Sequence, residues 1–143
     1  SDNTIDNLQF NDLSVLPLIC YESIFGDVIT GKRSNIIAII TNDGWWKNTA
    51  GYKQHFSYAC LRAIEQRKTI VRSANTGISG IINEKGEVVQ QSKWDEAICL
   101  SATVNTTNKS TFYSIYGDYI GRLSVFVAFM LLIVAFVKGR LKK

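Results

Sequence analysis

One proline, one histidine, one methionine and three cysteines stand among the 143 residues. With so little proline, nearly half the residues apolar and a fifth charged, extended disorder is excluded and an ordinary globular composition remains. The cysteines, at positions 20, 60 and 99, are widely spaced and form no Cys-x-x-Cys pair. That pattern excludes both a disulfide framework and a structural zinc site, and nothing in it calls for a metal. Excess charge is also missing from the body of the chain. Lys138, Arg140, Lys142 and Lys143 fall within the last six positions, and without those four the sixteen Lys and Arg drop to twelve, against twelve Asp and Glu. A neutral body with a basic tail excludes a nucleic-acid footprint, which needs cations clustered on a folded face.

What is present at that end is an apolar run from Leu123 to Val137, broken only by Ser124 and extendable back to Ile120. About eighteen helical residues reach roughly 27 Å, close to the hydrocarbon thickness of a bilayer. Tyr113, Tyr116 and Tyr119 precede the run as interfacial aromatics, and the basic cluster follows it. A membrane span over 119–137 is expected, with 138–143 as a basic tail on the cytoplasmic side. In a bacterium the preceding portion, 1–118, then faces the periplasm from the inner membrane. The polar opening Ser1-Asp2-Asn3 carries no secretory leader, so the chain reads as the C-terminal piece of a longer protein.

Hydrophobic patterning predicts a strand over Leu13 to Cys20 and a short helix or turn over Ile24 to Thr30. It predicts a strand buried on both faces over Asn35 to Thr41, and a helix over Tyr52 to Lys68. Thr69 to Ser73 reads as a strand, Ile78–Asn83 and Glu87–Gln91 as a hairpin, and Ala97 to Val104 as a further alternating strand. The order implies a layered α/β domain with a mixed sheet. Cys60 and Cys99 read as packing residues.

Cys20 is the residue most suggestive of chemistry. It closes a strand and is followed by Tyr21 and Glu22, so a thiol is presented at a strand end with a carboxylate two residues on. The bland alternative is a buried cysteine that packs as a small hydrophobe. Thr41-Asn42-Asp43-Gly44-Trp45-Trp46 follows the most apolar strand, at the end where α/β sheets hold ligands. Its adjacent tryptophans either cap the core or wall a lipid or aromatic site. Arg72-Ser73-Ala74-Asn75-Thr76-Gly77 is either a plain turn or a source of polar contacts on the same rim. The order Cys20, His55, Asn75 matches that of papain-like proteases, but no local signature of that family surrounds Cys20. His55 reads instead as a structural hydrogen-bonding residue, and Arg62 with Glu65 as a scaffold pair three residues apart on a helix.

Taken together, Ile19-Cys20-Tyr21-Glu22, the Thr41–Trp46 block, Gln54-His55-Phe56 with Arg62-Ala63-Ile64-Glu65, and the Arg72–Gly77 block resemble the nitrilase superfamily. With the terminal apolar helix, they resemble its apolipoprotein N-acyltransferase branch. The resemblance implies part of an α-β-β-α sandwich followed by one transmembrane helix, and a Glu-Lys-Cys triad in which Cys20 is the nucleophile. It further implies no cofactor, a monomer, a phospholipid as acyl donor and a diacylglyceryl apolipoprotein as acceptor. Tyr21 and Glu22 are implied beside the nucleophile, and Trp45, Trp46, Asn42, Asn75 and Thr76 as substrate contacts. The family's glutamate and lysine lie N-terminal to the nucleophile, and neither Lys32 nor Lys53 stands at a matching position, so the chain alone is expected to be inactive. Two other readings share these residues: a soluble amidase that hydrolyses a C–N bond, and a non-catalytic membrane-anchored module.

Overall fold

Ile36-Ile37-Ala38-Ile39-Ile40 is dominated by β-branched side chains, which are stiff in a helix and pack well on a pleated surface. In the computed structural model, which describes residues 5–141, this run forms β3 (Ile36–Thr41), at the centre of the molecule. Around it lie β1 (Leu8–Phe10), β2 (Leu13–Ile19), β4 (Thr69–Ala74), β5 (Gly80–Ile82) and β6 (Val88–Gln91). The six strands form one sheet in sequence order. β2, β3 and β4 run parallel, and β1, β5 and β6 extend the sheet antiparallel at its two sides.

Two crossovers carry the helices. α1 (Gly26–Ile29) lies between β2 and β3, and α2 (Ala50–Gln66) between β3 and β4. α2 starts two residues before the expected helix because the Thr49 hydroxyl accepts from the Gly51 N–H as an N-cap. It stops at Gln66 because Arg67 turns left-handed, with φ +50°. The register places Leu16, Ile37 and Ile70 abreast, and behind them Leu18, Ile39 and Arg72. Phe56, Ala59 and Ala63 of α2 and Ile29 of α1 close over the apolar members of this face. The small Ala59 and Ala63, both fully buried, allow the helix to sit close to the sheet.

The other face is open. Ile19, Ile40 and Val71 are 54%, 56% and 38% exposed, so β3 is covered on the α2 side and only partly on its reverse, contrary to the expectation of a strand buried on both faces. A helix layer on one sheet is half of the expected sandwich, and the described residues build no second sheet.

Two further expectations are corrected, and one strand is new. Ala97 to Val104 forms no strand. Beyond it the chain crosses the amino ends of the parallel strands, where the carbonyls of Asn105, Thr107 and Lys109 accept from the side chains of Thr69 and Lys68 rather than from a neighbouring strand. Cys99 is exposed and not a packing residue, whereas Cys60 does pack against the core, where burial pushes its thiol up. β1 was not expected. It is a three-residue strand, exposed at every position, whose hairpin turn through left-handed Asn11 pairs it with β2.

After the irregular stretch come α3 (Phe112–Tyr116), capped by Thr111, and α4 (Tyr119–Leu141). α4 is 23 residues long, has none of its apolar stretch buried, and is long and apolar enough to cross a membrane. The helix runs on through Lys138 and Arg140. Lys142 and Lys143, like Ser1-Asp2-Asn3, lie outside the described residues.

Candidate active site

Cys20 stands at the carboxyl end of β2, immediately before a 3-10 turn over Cys20–Ile24. Its φ is +50°, a left-handed conformation that a non-glycine residue adopts at a cost. The turn that holds it is tied down by its own side chains. Glu22 folds back so that Oε2 accepts from the Ile19 N–H at 2.6 Å, at the last residue of the strand. Ser23 Oγ donates to the Cys20 carbonyl at 2.7 Å. The Thr41 hydroxyl, at the end of the neighbouring strand, lies 3.4 Å from Cys20 Sγ.

Beneath this turn is a buried polar network. Asp43 is fully buried, and its Oδ2 accepts from Arg72 Nη2 at 2.7 Å while its Oδ1 accepts from His55 Nδ1 at 2.8 Å and from Thr41 Oγ1 at 3.1 Å. His55 Nε2 meets Ser23 Oγ at 3.1 Å. Arg72 also donates to the Ile78 carbonyl and lies over the Phe56 ring, 5.6 Å from its centroid. Arg72, Asp43, His55 and Ser23 therefore form a continuous chain that ends on the backbone of Cys20. Burial alone pushes the Asp43 carboxyl up; the hydrogen bonds from His55 and Arg72, with the Arg72 charge, overcome it and hold the group below its ordinary value.

Aromatic rings roof the network. Trp46 meets the His55 ring edge-on at 5.2 Å, Tyr21 stacks over it at 6.0 Å, and Tyr21 and Trp46 meet at 5.6 Å. Trp45 points away and is 81% exposed. The adjacent tryptophans thus divide: Trp46 packs on the buried histidine, and Trp45 is free at the rim. Two backbone bonds stitch the flanking loops together, Asn75 N–H to the Thr41 carbonyl at 2.9 Å and Asp43 N–H to the Thr76 carbonyl at 2.7 Å. The Asn42 side chain caps Gly44 locally, and Asn42 and Asn75 are both exposed. The structure brings Cys20, Tyr21, Glu22 and Trp46 together with the two loops at one end of the sheet. It forms no Cys20–His55–Asn75 arrangement, because both ring nitrogens of His55 are engaged elsewhere. Among the described residues, no group of three or more His, Cys, Asp or Glu is placed to hold a metal ion.

The carbon-nitrogen hydrolase family model matches residues 2–109. The chain belongs to the carbon-nitrogen hydrolase family. Relatives named apolipoprotein N-acyltransferase include one from Rhizobium etli, 41% identical over 99 residues, and one from Chlorobaculum tepidum, 35% identical over 126 residues. These matches cover 68% and 86% of this chain but only 18% and 24% of the relatives, so the chain spans about a fifth of their length. The fold is shared with a carbon-nitrogen hydrolase from Helicobacter pylori, at a TM-score of 0.64 and 11% identity over 73% of this chain and 44% of the other. It is shared also with an amidase from Nesterenkonia, solved with acrylamide added at its active-site cysteine, at a TM-score of 0.53 and 14% identity over 66% of this chain and 41% of that one.

In this carbon-nitrogen hydrolase chain, reading the sequence missed the burial of Asp43, Arg72, Ser23 and Thr41. A usable signal was present for Arg72. It stands two residues after Ile70 in a strand, hence on the core-facing side, and a cation there demands a buried partner. The Arg62–Glu65 pair was foreseen and is found at 2.9 Å. Gly77 serves the network: its φ is +130°, and an added Cβ would come within 2.5 Å of Asp43 Oδ2. Gly77→Ala is therefore expected to cost roughly 1–3 kcal/mol, read as a lowered midpoint in urea denaturation, since Asp43 is held on two sides and cannot move away.

Proposed function

We propose that this chain supplies the nucleophile and part of the substrate wall of a membrane-bound N-acyltransferase. In this reading Cys20 Sγ attacks the ester carbonyl of a phospholipid, the lysophospholipid alkoxide leaves and takes up a proton, and a thioester remains on Cys20. The α-amine of a diacylglyceryl-cysteine then attacks the thioester carbon, loses a proton, and releases the thiol with formation of an amide. The thioester divides one difficult acyl transfer into two easier ones. The observation that carries the proposal is the position of Cys20, strained at a strand end and joined by short bonds to its own turn, in a chain that continues into a span-length apolar helix.

The other residues take roles from their geometry. Tyr21 lies in the first turn of the 3-10 stretch, where backbone N–H groups have no intrahelical partner, and its N–H helps hold the oxyanion. Glu22 orients the turn through the Ile19 N–H, which favours a positioning role over proton transfer. Trp45, exposed at the rim, contacts the acyl chain, and Trp46 lines the wall behind Tyr21. Asn42, Asn75 and Thr76 lie on the two stitched loops and make the polar contacts. The family's glutamate and lysine are not assigned in these 143 residues, so the activity belongs to the longer protein that carries this chain, held in the bacterial inner membrane with this domain on the periplasmic side.

The test is intact-mass measurement on that longer protein after incubation with phospholipid. The expected result is a mass increase of one fatty acyl group that hydroxylamine removes and that Cys20→Ala lacks. An adduct that persists in Cys20→Ala would sink the assignment. Turnover of a small amide with no acyl adduct would favour the amidase.

A further inference from the structure

At the far end of the sheet from Cys20, the amino ends of β2, β3 and β4 border a cleft of about 360 Å³. Ser14 lies about 16 Å along β2 from Ile19, so this cleft is separate from the nucleophile. Its walls hold three cations, Lys32, Arg33 and Lys68, and the neutral donors Gln66, Ser34 and Ser114. Among the described residues no carboxylate lines it. In a protein body of balanced charge, a concavity whose described charged residues are all cations is unusual.

Two buried side chains in the cleft lack what their chemistry requires. Lys68 is only 5% exposed, and its ammonium is met by the backbone carbonyls of Thr107 and Lys109, with no counter-ion among the described residues. Burial accordingly pushes its pKa down. Gln66 is 2% exposed, and its Nε2 has no hydrogen-bond partner among the described residues. An unpaired buried amide donor costs free energy that a ligand acceptor recovers. Arg33, at the exposed mouth, adds a planar fork suited to bidentate oxyanion binding. A tetrahedral oxyanion, whose acceptors point in several directions, suits an ammonium, a guanidinium and an amide placed around one cleft.

Location narrows the source. Ser114 lines the cleft from α3, five residues before α4 begins at Tyr119. A cleft beside the entry to a membrane span lies close to lipid headgroups, where cationic pockets collect phosphate.

We propose that this cleft binds a phosphate group, carried by a phospholipid headgroup or free in solution, at a site distinct from the acyl-donor position beside Cys20. The site does not depend on the acyltransferase reading, and its test does not measure acyl transfer.

The test follows the side-chain amide resonance of Gln66 in the detergent-solubilised chain, assigned by its loss in Gln66→Met. Inorganic phosphate added at constant ionic strength against chloride is expected to shift that resonance saturably. Arg33→Gln and Lys32→Gln, neither fully buried, are each expected to weaken binding roughly tenfold. Lys68→Met is expected to weaken it more, and the two milder variants keep the test intact should that one fail to fold. Dihexanoyl phosphatidylglycerol, below its micelle concentration, separates the sources. Saturation at a lower concentration than inorganic phosphate assigns the headgroup, and the reverse order assigns free phosphate. No saturable shift with either probe, or a shift unchanged by removing Arg33 and Lys32, would overturn the site.

Discussion

On the proposed acyltransferase reading, Cys20→Ala is expected to lower acyl transfer to a lipoprotein acceptor by roughly 10⁴-fold or more, because the acyl chain loses the thiol that would carry it. Thr41 Oγ1 lies 3.4 Å from the sulfur, but it donates to buried Asp43, which leaves it unsuited to attack. Truncation at this half-buried position opens no large cavity, so denaturation midpoints should stay within about 1 kcal/mol of wild type. Cys20→Ser gives the sharper reading. A hydroxyl in the same place is a weaker nucleophile and a poorer leaving group, so an acyl adduct on serine should accumulate, resist hydroxylamine and fail to turn over. Transfer by Cys20→Ala at even a tenth of the wild-type rate would remove Cys20 from the mechanism. A joint loss of activity and folding would mean that the residue serves the scaffold.

The second large effect is expected at Arg72. Arg72→Met strands the Asp43 carboxylate in a site with no access to water, at a cost of roughly 3–5 kcal/mol. That is a large share of the roughly 5–15 kcal/mol by which domains are stable, and it should appear as a strongly reduced urea midpoint. The double variant Asp43→Asn/Arg72→Met should recover part of the loss, since it removes the buried charge together with its partner. Acid titration gives an independent check. The folded-state pKa of Asp43 is depressed below the ordinary 3.8, so its stabilisation is fully present above that value. Below it the unfolded chain binds more protons than the folded one, and the contribution is lost as pH falls through the folded value. Asp43→Asn should lack this component of acid sensitivity. A denaturation midpoint for Arg72→Met equal to that of wild type would show that the network is not what holds the Cys20 turn.

The two variants probe one architecture from opposite ends. Arg72 reaches Cys20 only through Asp43, His55 and Ser23, so loosening the network should also degrade the geometry at the thiol. Conservative changes such as Ser23→Ala remove one link while leaving the buried ion pair intact, which separates positioning from folding.

Periodicity was enough to place the three parallel strands and α2, because Leu16 and Leu18, the Ile36 to Ile40 run, and the stripe from Phe56 to Ala63 repeat at the spacings of strand and helix. The span-length helix was equally legible, since apolarity on every side over so many residues has few other uses. Alternation misled at Ala97 to Val104: a strand needs a partner edge, and sequence pattern does not say whether one is in reach. β1 was invisible because three exposed residues carry no pattern.

At the candidate site, the sequence by itself determined which groups exist: a cysteine after a strand, a loop with paired tryptophans, one histidine, and a family resemblance that the carbon-nitrogen hydrolase match bears out. Only the tertiary structure decided how they are used. It buried Asp43 beneath Cys20, joined it to an arginine 29 positions later and a histidine 12 positions later, and sent Trp46 inward while leaving Trp45 in solvent. It also gathered Lys32, Arg33 and Lys68 around a cleft that no local motif announces. The physical reason is that burial and hydrogen-bond satisfaction depend on which strand lies beside which, a property of the register and not of any single segment.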